Sequence, residues 1–238
     1  MSTPGLGNMV DALVGLAATS IGLRTHAVRE RMLIRAAATV WGVERAVAIA
    51  SSYHRLVLRE DGTVIAWGEN RAGQVGDGTT KLHRSPVAVA LAEIVAICAG
   101  GEHSLALTAT GGVVAWGSND FGQLGDGTRT DRLTPTPVAG LERDVVAIAA
   151  GNRCSLALLA SGSVLAWGLN VVGEIGVDHA RLTPCPVPGL EREIVAVAAG
   201  EYHNLALTSA GVVLAWGMSD TAGLGVFSFF DVSRPVHL

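Results

Sequence analysis

Short apolar runs of four to six residues, rich in Val, Ile, Leu and Ala, recur from residue 47 to residue 216 and are separated by Gly, Asp, Asn and Ser. Such runs are too short for helices and predict strands bounded by turns. In His103–Thr108, Leu105 and Leu107 fall on one side and Ser104 and Ala106 on the other, the period of two that marks a half-buried strand. The runs come in a fixed order. Val47–Ala50 is followed by His54–Leu58 and then by Asp61–Ile65, and a second copy reads Ile94–Ile97, His103–Thr108 and Gly112–Val114. Copies three and four begin at Val145 and Ile194. Each closes on the same tripeptide, Ala66-Trp67-Gly68, Ala115-Trp116-Gly117, Ala166-Trp167-Gly168 or Ala215-Trp216-Gly217, with the tryptophans 49, 51 and 49 residues apart. A Gly-rich loop and a Pro-flanked segment follow, as in Gly73–Thr79 with Ser85-Pro86-Val87 and Gly122–Thr128 with Thr136-Pro137-Val138. The corresponding closing segments are Cys185-Pro186-Val187 and Arg234-Pro235-Val236.

Each copy therefore predicts three or four short antiparallel strands, and a period near 50 residues signals a repeat architecture. One sheet per copy, stacked face to face around an axis, is an all-β propeller-type array of about four blades. The expected blades are residues 44–92, 93–142, 143–192 and 193–238. Glycines 62, 112, 162 and 211 fit tight turns, where positive φ excludes most side chains. Prolines fall where a sheet tolerates them, at strand ends and edges. Ala99-Gly100, Ala150-Gly151 and Ala199-Gly200 suit the crowded positions where blades converge. Residues 1–43 lie outside the repeat. Val28, Met32, Ala36 and Val40 recur at four-residue intervals there and predict a short amphipathic helix capping the first blade, with a flexible segment as the alternative.

Composition narrows the function classes. Apolar residues make up 49% and charged residues 16%, which implies extensive buried surface. The net charge is −4, Lys81 is the single lysine and no basic run occurs, so nucleic-acid binding through a broad electrostatic face is not expected. Met9–Leu23 is apolar but broken by Asp11, Gly15 and Gly22, so no membrane association is expected and a cytoplasmic location is favoured. Cys98, Cys154 and Cys185 occupy different repeat positions and give neither a disulfide framework nor zinc spacing.

With those elements laid out, the chain resembles the regulator of chromosome condensation repeat family. That repeat carries Gly-x-x-His-(Ser/Thr)-x-Ala-Leu, then Gly-x-(Val/Leu)-x-x-(Trp/Phe)-Gly, then Asn-x-x-Gly-Gln-Leu-Gly. Residues 100–107, 112–117 and 119–125 match it here, and the resemblance covers about residues 44–238. It implies β-propeller blades. Family members usually close seven, which at about 50 residues each needs about 350 residues. The shorter chain leaves three readings open: a fragment, an open four-bladed arc, or a small ring closed by the chain itself or completed by association. Where a photoreceptor resembling the family carries its light-sensing tryptophans, this sequence has Glu102 and Tyr202, with Arg153 and Arg55 nearby.

Candidate chemistry is sparse. His54, His103, Cys154 and His203 share one repeat position and form a nominal zinc set, but blade separation spreads them beyond one ion's reach. A hydrogen bond between blades is the expected role. Ser104 beside His103 lies on one strand, so the two point to opposite faces rather than forming a catalytic pair. The Gly-rich loops lack a phosphate-binding lysine and read as turns, with Asp77 and Asp126 bonding backbone two residues on. The recurring tryptophans read as blade core. No catalytic, cofactor-binding or metal residue is assigned. The expected activity is non-catalytic recognition of a protein partner by loop residues that vary between blades: Arg71, Arg129, Asp131, Arg132, His179 and Arg181, with the apolar Phe227, Phe229 and Phe230. The open blade ends are a second route, to self-association. The resemblance carries two alternatives, guanine-nucleotide exchange on a small GTPase and inhibition of β-lactamase. All spacings of 49–51 leave no blade room for an inserted exchange wedge.

Overall fold

The computed structural model describes residues 45–218 and 232–237. Four antiparallel sheets of four strands follow one another along the chain. The first holds β1 (Ala46–Ser51), β2 (His54–Arg59), β3 (Val64–Gly68) and β4 (His83–Val89). The second holds β5 (Ile94–Ala99), β6 (His103–Thr108), β7 (Val113–Gly117) and β8 (Arg132–Pro137). β9 (Val145–Ala150), β10 (Cys154–Leu159), β11 (Val164–Gly168) and β12 (Arg181–Pro186) form the third. β13 (Ile194–Ala199), β14 (His203–Thr208), β15 (Val213–Gly217) and β16 (Val232–His237) form the fourth. Strand order equals chain order in every sheet, so each blade is a meander. Pro86, Pro135, Pro137, Pro184, Pro186 and Pro235 sit on the outermost strands, which pair on one side only and need fewer N–H donors.

Alternation gives every blade two apolar faces, and neighbouring blades bury them against each other. β2 packs on β5, β6 on β9 and β10 on β13, while the inner strands β1, β5, β9 and β13 adjoin in series. No comparable packing joins the fourth sheet to the first among the described residues, so the array is an open arc. Each joint has its own core. Leu56, Leu58 and Val64 of the first blade enclose Trp116 and Ala106 of the second. Leu105, Leu107 and Val113 receive Trp167 and Ala157, and Leu156, Leu158 and Val164 receive Trp216 and Ala206. Full burial of each of these Leu residues is worth about 1.5–3 kcal/mol.

Backbone geometry repeats as closely as the side chains. Arg45, Glu93, Asp144 and Glu193 all take positive φ, 56–70°, just before the inner strand. Their carbonyls accept the amides of Glu60, Ala109, Ala160 and Ser209, so each strained residue is held by the hairpin turn of its own blade. That turn needs glycine. The positive φ in the second blade is at Gly111 rather than at the expected Gly112; Gly111 donates to the Thr108 carbonyl as Gly62 donates to Arg59, while Gly112 aligns with Thr63. A register shift near the start of each inner strand accompanies Val47, Val95, Val146 and Val195, all about half exposed. The helix expected within residues 1–43 lies outside the described residues.

Candidate functional site

The joints contain the most reactive-looking side chains. His54 Nε2 lies 2.6 Å from Ser104 Oγ on the next blade, and Ser104 Oγ donates to the Gln74 carbonyl at 2.8 Å. The Trp116 indole N–H donates to that same carbonyl at 2.9 Å. The second joint repeats this with His103, Ser155, Gln123 and Trp167. Because the serine proton goes to the carbonyl, the imidazole donates from Nε2 and Nδ1 carries the lone pair. Nδ1 of His54 and of His103 has no partner. Burial holds both histidines neutral, His54 at about 3 and His103 at about 4. A buried serine already committed to a backbone carbonyl is no nucleophile, so the His–Ser pair is a structural relay between blades. The interblade bond expected for this position is present at His54 and His103.

The third joint is built differently. Cys154 stands where the histidine would be, its thiol pushed up to about 12 by burial, and Asn204 replaces the serine. Asn204 Nδ2 donates to the Glu174 carbonyl, which also accepts the Trp216 indole at 3.0 Å. The tryptophans are core, as expected. Among the described residues no group of three or more His, Cys, Asp or Glu side chains is placed to hold a metal. No helix among them is long and apolar enough to cross a membrane.

The residues that vary gather on one end of the arc. The turns β1–β2, of two residues, and β5–β6, β9–β10 and β13–β14, of three, present Tyr53, Glu102, Arg153 and Tyr202 in register, each just before the following strand. Their carbonyls accept the amides of Glu69, Ser118, Leu169 and Met218, which begin the long β3–β4-type loops, so turns and loops share one face. At its centre the small pairs Ala99-Gly100, Ala150-Gly151 and Ala199-Gly200 line a mouth of about 380 Å³. Gly100 is required there, since a Cβ would meet His103 Cε1 at 2.2 Å and the Gly151 carbonyl at 2.7 Å. A second hollow of about 230 Å³ is lined by Tyr53, Glu102, Asp120, Phe121, Asn152 and Arg153. The Arg153 guanidinium lies 4.7 Å from the centre of the Phe121 ring.

Of the loop residues singled out from sequence, some brace the loops themselves. Asp131 Oδ1 accepts the Asn119 amide at 2.8 Å, and Arg129 donates to the Asp120 carbonyl at 2.7 Å. Arg132 pairs with Asp126 at 2.6 Å. Burial alone would raise the Asp126 carboxyl, but Thr128 and Arg132 outweigh it and hold it below the usual range. Asp77 and Asp126 bond the amides two residues on, as expected. Arg71, His179 and Arg181 are exposed. Phe227, Phe229 and Phe230 lie outside the described residues. Tyr53, Glu102, Arg153 and Tyr202 were not predicted as binding residues, because a turn of two or three residues reads as punctuation; their variation at one fixed repeat position was the available signal.

The geometry matches known proteins. The profile of the RCC1-like domain fits residues 19–238. Among solved structures, the chain is similar to yeast RCC1 (Prp20) in its complex with Kap60, with 28% identity and a TM-score of 0.71 over 81% of this chain and 48% of that one. It is similar to Prp20p from Saccharomyces cerevisiae, described with its binding to Gsp1p and histones, at 28% identity and 0.71 over 81% and 50%. Human WBSCR16 gives 26% identity and 0.74 over 81% and 52%. The chain thus spans about half the length of these relatives. With its blades, its interblade tryptophans and this match over most of its length, the chain belongs to the RCC1-like domain family.

Proposed function

We propose that the chain is a non-catalytic module that binds a partner protein through the loop face. One observation carries this reading. The framework of the four blades is nearly identical, whereas the side chains displayed at one repeat position on the loop face, Tyr53, Glu102, Arg153 and Tyr202, differ in charge and aromatic character. Variation confined to one face of a fixed scaffold is the arrangement of a recognition surface. Rigid aromatic and Arg side chains are also the residue types that dominate binding energy at interfaces. The exposed Arg71 and His179 belong to the same loops, and Arg181, also exposed, opens β12 beside them.

The test is a paired set of surface variants. Tyr53→Ala with Arg153→Ala alters the loop face, and Arg143→Ala with Glu191→Ala alters exposed residues of the β8–β9 and β12–β13 connections. Crosslinking to partners in an extract should lose its specific products with the first pair and keep them with the second. Equal retention by both would sink the reading. Nucleotide exchange on a small GTPase is the second reading, supported by membership of a family whose solved member Prp20p is described with its binding to Gsp1p. Substoichiometric amounts of the chain would then speed release of labelled nucleotide from Gsp1p, while a pure binder leaves the rate unchanged.

A further inference from the structure

The outward face of the fourth blade repeats the face that the other three blades bury, differing from the third only in having His203 where that blade has Cys154. His203, Leu205, Leu207 and Val213 correspond to His54, Leu56, Leu58 and Val64. Leu58, Leu107 and Leu158 are 2%, 4% and 3% exposed, but Leu207 is 37% exposed. Leu205 is half-buried, whereas Leu56, Leu105 and Leu156 are at 0%. Ala196 and Ala198 on β13 are exposed as well. The backbone agrees. The carbonyls of Gly62, Gly111 and Gly162 each accept the inner-strand amide of the following blade, from Ile94, Val145 and Ile194. A Cβ on Gly62, Gly111 or Gly162 would meet that blade at 2.8–3.1 Å, while around Gly211 nothing among the described residues lies within 4 Å.

We propose that this face pairs with the same face of a second copy of the chain, giving a two-fold dimer built on the fourth blades. In three joints within the chain this set of side chains is covered by another sheet. Leu205, Leu207, Val213 and the two alanines carry no charge, so two copies meet without like-charge repulsion. The alternative, head-to-tail stacking onto the first blade of a second copy, is closed off. That blade's complementary face, Val57, Ile65 and Trp67, is already 1%, 4% and 9% exposed. It also presents Arg55 where the receiving joints require Ser104, Ser155 or Asn204. A face that pairs only with itself closes at two copies and cannot grow into a filament.

Light scattering and sedimentation on the full chain test this. The expected mass is twice 24.4 kDa at micromolar concentration, falling to a single copy on dilution. Leu207→Asp should halve the mass while leaving far-ultraviolet dichroism unchanged. Should that variant not fold, Leu207→Cys decides: its thiol should react with maleimide at least tenfold more slowly at high concentration than at low. A monomer at every concentration overturns the proposal. Species larger than two copies, or a dimer that survives Leu207→Asp, overturn it equally. So does a Leu207→Cys thiol that reacts at one rate throughout.

Discussion

Residue by residue, the joints between blades depend on neutral imidazoles sealed away from water. His54 and His103 are held near 3 and 4, far below the ordinary value of 6.5. Above pH 6.5 neither folded nor unfolded chain protonates them, and their contribution to stability is complete. As pH falls below 6.5 the unfolded chain takes up two protons that the folded chain refuses. Stability should therefore drop by up to about 1.4 kcal/mol per pH unit for each histidine. The loss ends for each only as its folded value is reached. Urea unfolding at pH 7.5, 6.0 and 5.0 reads the slope, and His103→Gln should remove about half of it; an unchanged slope would place the proton uptake elsewhere. Cys154 with Asn204 shows that a second chemistry fills the same joint. His103→Cys alone and Ser155→Asn alone should each cost about 1–3 kcal/mol, since each leaves a buried polar group mismatched. The double variant should recover part of that loss, a coupling of about 1 kcal/mol in a double-mutant cycle. The sequence pointed to a bond at His54 and His103, because the histidine recurs. It gave no sign of the acceptor, since the Gln74 and Gln123 carbonyls are backbone groups that any residue supplies.

At the scale of elements, the Gly-rich loop is a clip rather than a ligand cradle. Asn119 Oδ1 accepts the Leu124 amide at 3.0 Å, and its Nδ2 donates to Asp126, Thr128 and Thr130. Asn70 does the same in the first blade, accepting the Val75 amide and donating to Asp77 and Thr79. One side chain thereby closes a loop about ten residues long, and Leu124, at its centre, is driven into the joint. Asn119→Ala should destabilise the chain by about 2 kcal/mol and speed amide exchange across residues 119–131, measured by mass spectrometry. Exchange confined to the global rate would sink that account. Strand identity, turn glycines and edge prolines were legible because they are local. The misplacement of one turn from Gly111 to Gly112 shows the limit: two adjacent glycines carry no signal for which one takes positive φ. The bulged valines were also illegible, because a bulge is a relation between two strands.

For the whole molecule, stability is a sum of blade terms and joint terms. Three joints are complete, and the fourth blade has a joint on one side only among the described residues. Amides of β13 and β14 should therefore exchange faster than those of β5, β6, β9 and β10 in dilute solution. Uniform protection would mean the last blade is covered even when the chain is dilute. The repeat count and the order of blades followed from the spacing of four tryptophans. Which end stays uncovered did not, because Leu205 and Leu207 read the same in sequence as Leu56 and Leu58. The backbone carbonyl at residues 74, 123 and 174, the hub of each joint, has one further consequence. No point mutation can delete it, and Glu174 has replaced glutamine there while the indole bond persists. A duplicated or deleted stretch of 49–51 residues carries its own hub, its own indole and its own donor. The gene can therefore gain or lose whole units with the carbonyl–indole bond of each seam intact, so that the length of the arc is inherited as a count rather than designed as a shape.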